Sequence, residues 1–295
     1  MAGRILLAVL LLGLGVLAAA QRRATVATNP PPKIRVDEMV ISGTATLDSQ
    51  LLLDISNSLT GQEYDDDSSE MSERLRDAFQ QRGYFRPEIK NVKLKPLDPL
   101  GNPKPIRIEA EVNEGLRYRI AEFKFTGMRA FTSEKLRSAL PLRSGDYFDV
   151  EKVRSGLSAL RDLYTKVGYL NMVPVPNTEL SDEGTVTVTF DIDEGQQFRM
   201  GTVEFTGDRD NAQLLRSHWQ LATGEAFDDS YPRKFAKENS SLLPSDFEYT
   251  NDVYVGLNCR EGTVQLVMNA DPKHPTLDRP KNVGCERKAE EENSK

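Results

Sequence analysis

The chain contains 295 residues, of which 38 are lysine or arginine and 45 are aspartate or glutamate, so its formal net charge is -7. This acidic balance disfavours a nucleic-acid binder, because such proteins neutralise phosphates with a surplus of basic side chains. Two histidines and two cysteines disfavour an ordinary zinc site. Beyond the N-terminus, no segment has the roughly 18 consecutive apolar residues that a membrane-spanning helix requires.

The N-terminus has the pattern of a secretory signal peptide. Arg4 precedes an apolar run that reaches Leu17, and three alanines follow as a small-residue cleavage pattern. We expect residues 1–20 to be removed on export and residues 21–33, which contain three consecutive prolines, to form an extended linker. The alternative is an uncleaved helix in the inner membrane, which would make the protein an anchored structural spacer.

The rest of the chain repeats itself. A short apolar strand ends at Gly43, again at Gly127 and again at Gly207, which gives a period of about 80 residues. Each copy also contains a segment in which apolar and polar residues alternate strictly, and this pattern predicts a strand with one buried face. These alternating segments lie at residues 106–112, 186–192 and 264–270.

Helices are predicted between the strands. In the second copy, apolar residues at 150–167 recur with helical spacing, after a capping Asp149 and before a terminating Gly168. The first copy has the same plan and ends its longer helix at Gly83. The two copies therefore contain one short and one longer helix each.

The third copy diverges from this plan. Its short helix is marked by Leu214, Leu215 and Leu221, but its second helix is interrupted by two serines and ends at Pro244. We expect a shorter and less regular second helix in this copy.

Each copy is thus a strand, two helices and two further strands, which is an α+β architecture. The fold class predicted is three tandem β-α-α-β-β domains, each with a three-stranded sheet packed on two helices. The predicted bounds are 34–115, 116–195 and a divergent 196–273, followed by a polar tail at 274–295.

The two cysteines flank the start of this tail. Export would place Cys259 and Cys285 in an oxidising compartment, where a disulfide between them would attach the tail to the last domain. Two unpaired thiols remain the alternative, because the sequence does not supply the separation of the two Cα atoms.

Short motifs accompany the repeat. In the second copy they are Phe-x-Phe-Thr-Gly127, Gly-Asp-Tyr-Phe-Asp149, Gly168-Tyr169 and Asp-Ile-Asp-Glu-Gly195; the first copy shares Gly43, Gly83-Tyr84-Phe85 and Glu114-Gly115. The third copy keeps Val-Glu-Phe-Thr-Gly207 and Gly-Glu-Ala-Phe-Asp228 but has neither the Gly-Tyr pair nor the closing Glu-Gly. In these motifs the chain resembles polypeptide-transport-associated (POTRA) domains.

The resemblance implies a function. POTRA domains precede the barrels of BamA-like and TamA-like outer-membrane assembly proteins. The resemblance implies a non-enzymatic, exported binding module without cofactors, working in the periplasm at the outer membrane, with barrel-assembly proteins or unfolded outer-membrane proteins as partners. Only about twenty polar residues follow the third copy, so we expect the periplasmic arm without a barrel. The sequence also contains no phosphate-binding loop, nucleophile elbow or zinc-protease motif.

The family resemblance also implies that partners bind by strand addition, in which a peptide pairs with an exposed sheet edge. The candidate edge is the strand after each Gly-Tyr position. In the second copy this strand contains Pro174 and Pro176, whose missing N–H groups must point away from the sheet, so we predict an edge strand that is blunted as a docking site. The corresponding strands of the first and third copies contain no proline and are the predicted docking edges.

The candidate docking residues are Ile89, Val92 and Leu94 in the first copy and Val253, Val255 and Leu257 in the third. An equal alternative for the first copy is that Lys90, Lys93 and Lys95 protect the edge against pairing.

The Glu-Gly pairs at the ends of two repeats are predicted to form the domain junctions. Gly115 and Gly195 would allow a turn, and Glu114 and Glu194 would pair across the seam between domains.

Overall fold

Three small sheets follow one another along the chain in the computed structural model, and each is accompanied by helices. The predicted signal peptide and nearly all of the predicted linker lie outside the described residues, as does most of the tail. The structure describes residues 33–44, 47, 49–65, 67–270 and 279–285.

The first unit contains a four-stranded sheet in the order β2-β1-β4-β3. Strands β1 and β4 are parallel, and the other pairs are antiparallel. Its elements are β1 (Lys33–Ser42), α1 (Ser49–Leu59), β2 (Glu63–Asp65), α2 (Ser68–Gln80), β3 (Glu88–Pro96) and β4 (Lys104–Asn113).

The second unit contains a three-stranded sheet in the order β5-β7-β6, with β5 parallel and β6 antiparallel to the central strand. Its elements are β5 (Arg119–Thr126), α3 (Ser133–Ala139), α4 (Val150–Thr165), β6 (Val173–Leu180) and β7 (Thr185–Asp193).

The third unit repeats this topology in the order β8-β10-β9. Its longer helix is replaced by a short helix, a 3-10 turn at Ser240–Leu242 and a further single turn. Its elements are β8 (Arg199–Thr206), α5 (Arg209–His218), α6 (Tyr231–Glu238), α7 (Tyr249–Asp252), β9 (Val253–Asn258) and β10 (Thr263–Asn269).

Each unit has its own apolar core between the sheet and its helices. In the second unit, alternate residues of β7 from Val186 to Ile192 are fully buried and meet Leu160 and Tyr164 of α4. Burying such an aliphatic or aromatic side chain contributes about 1.5–3 kcal/mol. The alternating apolar residues of β7 and the helically spaced apolar residues of α4 therefore pack against each other in one core.

Polar residues fix where the helices begin. The Asp149 carboxylate accepts the N–H of Lys152 at 3.1 Å at the start of α4, as the sequence predicted. Asp208 plays the same part for α5, accepting the N–H groups of Asp210 and Asn211. Such caps contribute about 1 kcal/mol each, because they satisfy backbone donors that the first turn leaves unpaired.

The predicted α+β fold class is confirmed, with two differences in detail. The first sheet has a fourth strand, because Glu63–Asp65 pairs with the start of β1. Leu221 was predicted within the short helix of the third unit, but α5 ends at His218 and Leu221 packs on the core from the following loop. None of the helices within the described ranges combines the length and the apolar character that crossing a bilayer requires.

Candidate functional site

The three sheets each end in an edge strand that follows the longer helix or its equivalent. These edge strands are β3, β6 and β9, and they are the strands in which the sequence places its candidate docking residues and its two prolines. The prediction that the proline-containing strand is an edge is confirmed. What each edge presents to a partner depends on where its backbone N–H and C=O groups point.

The backbone of β3 faces outward at Leu94. The N–H of Leu97 donates to Pro105 O at 2.9 Å. Because backbone groups alternate along an antiparallel ladder, the N–H and C=O groups of Lys95 and Lys93 also point toward β4. Leu94, between them, has its N–H and C=O on the other side. Within the described part of the chain, β3 has only β4 as a partner strand. This edge therefore offers backbone groups to an added strand.

The predicted docking side chains of β3 face the helices. Ile89, Val92 and Leu94 are half-buried and pack against the first core, whereas the lysines between them are exposed on the other face. A strand added beside β3 would continue both faces. It would place apolar side chains next to Leu94 and polar ones next to the lysines.

The edge of β3 is also partly protected. Lys95 Nζ lies 2.6 Å from Glu109 Oε1 and this hydrogen bond lowers the pKa of Glu109, while Lys90 pairs with Glu88 at 2.9 Å. Asn91 has a φ of 55° at a bulge in the register. Bulges and edge lysines both discourage uncontrolled pairing. The structure thus gives β3 an open backbone together with features of the protective alternative.

The middle edge is blunted by its prolines. Ser181 N–H donates to Thr185 O at 2.9 Å, and by the same alternation Val175 faces β7 while Pro174 and Pro176 face outward. The outer side of β6 therefore has two ring nitrogens where another strand would need donors.

The third edge is occupied by the chain itself. Residues 279–285, here called the C-terminal strap, lie along β9: Val283 N–H donates to Leu257 O at 2.8 Å, and Cys259 N–H donates to Val283 O at 2.9 Å. The N–H of Leu257 donates to Asn282 Oδ1 at 3.0 Å. Both outward backbone groups of Leu257 are therefore used, which corrects the expectation that Leu257 stands on an open docking edge.

The rest of that edge lies beyond these bonds. In the ladder with β10, the backbone N–H and C=O groups of Val253 and Val255 point away from β10, as those of Leu257 do. The solvent-exposed fraction of Val255 is 40%. A disulfide joins Cys259 to Cys285, with the two Cα atoms 5.1 Å apart, and holds the strap at the end of β9.

The Glu194 carboxylate has a different role from the one expected. The Glu194 carboxylate does not pair across a seam: its Oε1 accepts the N–H groups of Arg129 and Ala130 at 2.7 and 2.8 Å and the Tyr164 hydroxyl at 2.9 Å, all within the second unit. Burial alone would raise the pKa of Glu194, but these hydrogen bonds lower it below the ordinary value. Glu194 thus ties the loop after β5 to α4.

Glu114 is buried in the same way, being only 3% exposed. The glycines that follow do form turns, with φ of 67° at Gly115 and 64° at Gly195. Each turn is closed by a side-chain acceptor two residues earlier, Asn113 or Asp193. Both glycines therefore turn the chain at the end of a unit, and the hydrogen-bond partners of Glu194 described above all lie within its own unit.

The contacts between units lie instead at the Gly-Tyr pairs. Tyr118 N–H donates to Gly83 O at 2.8 Å, and Phe198 N–H donates to Gly168 O at 2.7 Å. A Cβ on Gly168 would stand 2.2 Å from Phe198 O. These glycines are needed for close approach as well as for ending a helix. The sequence signal was present, since the pair recurs in the first two copies and is missing from the third.

Aromatic rings pack around the first of these seams. Phe85 contacts Tyr118 and Phe148 with ring centroids 5.2 and 4.8 Å apart. Val150 N–H donates to Gln81 O at 2.9 Å, so the start of α4 is bonded to the end of α2. Within the residues described, no group of three histidine, cysteine or acidic side chains is placed to hold a metal ion.

Comparison with known families gives the repeat its identity. The POTRA family model, described as surface antigen variable number repeat, matches residues 34–115 and 118–195, more than half of the chain. The chain belongs to the POTRA family. The two matched ranges are the first two units, and the family resemblance predicted from the motifs is confirmed.

One curated relative of the POTRA chain is the outer membrane protein assembly factor BamA of Buchnera aphidicola subsp. Acyrthosiphon pisum (strain APS). The two are 23% identical over 186 residues, which is 62% of this chain and 29% of that protein. The match therefore spans less than a third of the relative's length.

A solved POTRA structure shares the fold. The crystal structure of Haemophilus influenzae BamA POTRA3-5 is 18% identical, covers 80% of this chain and 96% of its own, and superposes with a TM-score of 0.50. The POTRA1-3 part of Omp85 from Anabaena is 17% identical, with coverages of 81% and 96% and a TM-score of 0.34. The first of these matches extends the POTRA architecture beyond the two units that the family model covers.

Proposed function

We propose that this POTRA chain is a non-enzymatic, periplasmic binding module in outer-membrane protein assembly or transport, and that it binds partner polypeptides by strand addition. Membership of the POTRA family supports this, as does a relative that is named an outer membrane protein assembly factor. The domains proposed for it are residues 34–115, 116–195 and 196–273. Its proposed partners are barrel-assembly proteins or unfolded outer-membrane proteins.

The observation that carries the proposal is the open backbone of β3 at Leu94. Unpaired N–H and C=O groups at a sheet edge can be satisfied by an extended peptide, and main-chain hydrogen bonds then supply affinity without requiring one partner sequence. Assembly of many different outer-membrane proteins needs that kind of tolerance.

The side chains of β3 indicate which strands fit. Leu94 lies on the helix side and Lys93 on the exposed side, so a matching strand alternates apolar residues with polar or acidic ones. Strands of outer-membrane proteins alternate in this manner, because one face meets lipid and the other meets the interior. We therefore propose an amphipathic strand with an acidic polar face as the ligand of β3.

The other two edges are less suited to this role. On β6, Pro174 and Pro176 remove outward donors, and on β9 the C-terminal strap already uses both outward groups of Leu257. Strand addition is accordingly proposed at β3, where the first unit was predicted to dock partners.

Site-specific photo-cross-linking tests the proposal. A photoreactive residue replaces Lys93 of β3 in one variant and Asn177 of β6 in a matched control, since both side chains are exposed on edge strands. We expect unfolded outer-membrane proteins in the cell envelope to cross-link at position 93 and not at position 177. Equal or stronger labelling at position 177 would show that strand addition at β3 is wrong.

The compartment is tested separately. N-terminal sequencing of the mature protein is expected to give Gln21 as the first residue, and recovery of Met1 or Ala2 would instead support the anchored spacer.

A further inference from the structure

The C-terminal strap lies on β9 as a peptide would lie on an open edge. We propose that the β9 edge is a strand-binding site in its own right, with the strap as its resident ligand, and that it accepts an external extended peptide of the same chemistry. That chemistry is a cation followed by proline, any residue, asparagine and a β-branched aliphatic residue, as in Arg279 to Val283. The inference deepens the proposed function by naming the ligand class of a second edge.

The backbone pairing sets the direction of the ligand. Val283 donates to Leu257 O and accepts from Cys259 N–H, which makes a parallel bridge opposite Asn258. A parallel bridge at a sheet edge has the hydrogen-bond pattern of an added strand. An external ligand would therefore run in the direction of β9.

Asn282 completes the pairing where the strap's own backbone departs from the ladder. Its Oδ1 accepts the Leu257 N–H at 3.0 Å, in the place where a regular partner strand would offer a carbonyl. A side-chain amide with an acceptor oxygen at this position is thus part of the recognition.

Gly256 shapes the middle of the site. A Cβ at this residue would stand 2.7 Å from Pro280 Cβ and 2.9 Å from Pro280 C, so the strap approaches as closely as it does only because residue 256 has no side chain. Glycine weakens a strand interior and often marks the close approach of another backbone. The proline ring of the ligand fits against this gap.

Tyr254 provides the contact for the cation. The guanidinium carbon of Arg279 lies 4.3 Å from the centroid of the Tyr254 ring, within the range of a cation–π interaction. The strap is thus recognised at four successive points along β9, from Tyr254 to Cys259, by four different kinds of contact.

The disulfide favours the strap over an external peptide at the β9 edge. Because Cys285 is bonded to Cys259, the strap is presented at a high effective concentration, and a free peptide gains access only when the strap is released. Removing the tether and the Val283 donor should therefore open the site.

A release variant of the full mature chain, carrying Cys259→Ser, Cys285→Ser and Val283→Pro, tests this. The probe is a fluorescent peptide, Arg-Pro-Lys-Asn-Val-Gly-Ser, whose anisotropy is followed against the release variant and the oxidised wild type. We expect the peptide to bind the release variant at least about tenfold more tightly. The same peptide with proline in place of valine should lose that binding.

A site control uses Gly256→Val in the release variant, which fills the gap against which the proline ring packs. We expect about a tenfold loss of peptide affinity. Equal binding by the release variant and the oxidised protein would overturn the proposal, and so would undiminished binding after Gly256→Val.

Hydrogen exchange of the wild type covers the case in which the release variant does not fold. On reduction by a dithiol, the amides of Leu257 and Cys259 should exchange at least about tenfold faster, while those of Val264 and Leu266 in β10 stay protected. Uniform loss of protection in both strands would show that the strap is an integral part of the third core, which contradicts a displaceable ligand. These outcomes involve neither β3 nor an envelope protein, so they can fail independently of the proposed function.

Discussion

The hydroxyl of Tyr164 donates a hydrogen bond of 2.9 Å to Oε1 of Glu194, and both residues are buried in the second unit. Desolvation and the neighbouring carboxylate both raise the pKa of Tyr164, so the phenol stays protonated and remains a donor. Together with the two backbone N–H groups after Gly127, this bond fixes the closing strand, the longer helix and the first loop of the unit to one another.

Removing the carboxylate should cost more stability than removing the hydroxyl. We expect Glu194→Ala to destabilise the second unit by about 2–3 kcal/mol, because the N–H groups of Arg129 and Ala130 lose their acceptor. Tyr164→Phe deletes one donor and should cost about 1 kcal/mol. Thermal unfolding monitored in the second unit measures both. A larger loss in Tyr164→Phe than in Glu194→Ala would contradict this ranking.

The pKa of Glu194 also predicts a pH dependence. Because hydrogen bonds lower its pKa in the folded state below 4.5, its ionisation stabilises the fold above the unfolded-state value and this contribution is lost as the pH falls through the lower folded value. Between pH 7 and pH 3, the free energy of unfolding should therefore fall more steeply for the wild type than for Glu194→Gln. Parallel curves for the two proteins would show that Glu194 does not contribute to the acid loss.

The glycine seam between the second and third units gives a matched pair of substitutions. Gly168 and Gly145 both have φ of 90°, but a Cβ at residue 168 would meet Phe198 O at 2.2 Å and one at residue 145 would meet nothing within 4 Å. Gly145→Ala should cost about 1–2 kcal/mol from backbone strain alone.

Gly168→Ala should cost more than this and should also alter the arrangement of the two units. Thermal melting and small-angle scattering measure the two effects. The result that counts against a seam role for Gly168 is a scattering profile that both variants share with the wild type.

Restoring a backbone N–H donor to the outer side of β6 should allow this edge to pair with other chains. Pro176→Thr returns an outward N–H to β6, whose neighbours Val173 and Val175 are about half exposed, and unprotected edges pair with other chains. Sedimentation velocity is expected to show concentration-dependent self-association in this variant and not in Asn177→Thr, whose backbone faces β7. A monomeric Pro176→Thr protein would mean that another feature blocks β6.

The parts of the structure that local patterns determine could be predicted from the sequence. Strict alternation from Val186 to Ile192 predicted a strand with one buried face, and the spacing of Pro174 and Pro176 predicted an edge, because strand backbones alternate wherever they lie. Asp149 was identified as a helix cap for the same reason, since capping involves residues within one turn.

Contacts between distant residues could not be predicted in this way. Val283 pairs with Leu257, and Glu194 accepts from Arg129, across stretches of chain that no short-range pattern connects. Nothing in the spacing of Leu257 distinguishes an open edge from one that the tail covers. The candidate docking residues do lie on edge strands, but the occupancy of the third edge was not predicted.

Each of the two seams contains a main-chain hydrogen bond, from Tyr118 to Gly83 in one and from Phe198 to Gly168 in the other. Peptide groups are the same whatever side chains they carry, so a surface substitution that keeps Gly83 and Gly168 also keeps these two bonds. Exposed positions on either side of a joint can therefore change in sequence without removing the bond that connects one unit to the next.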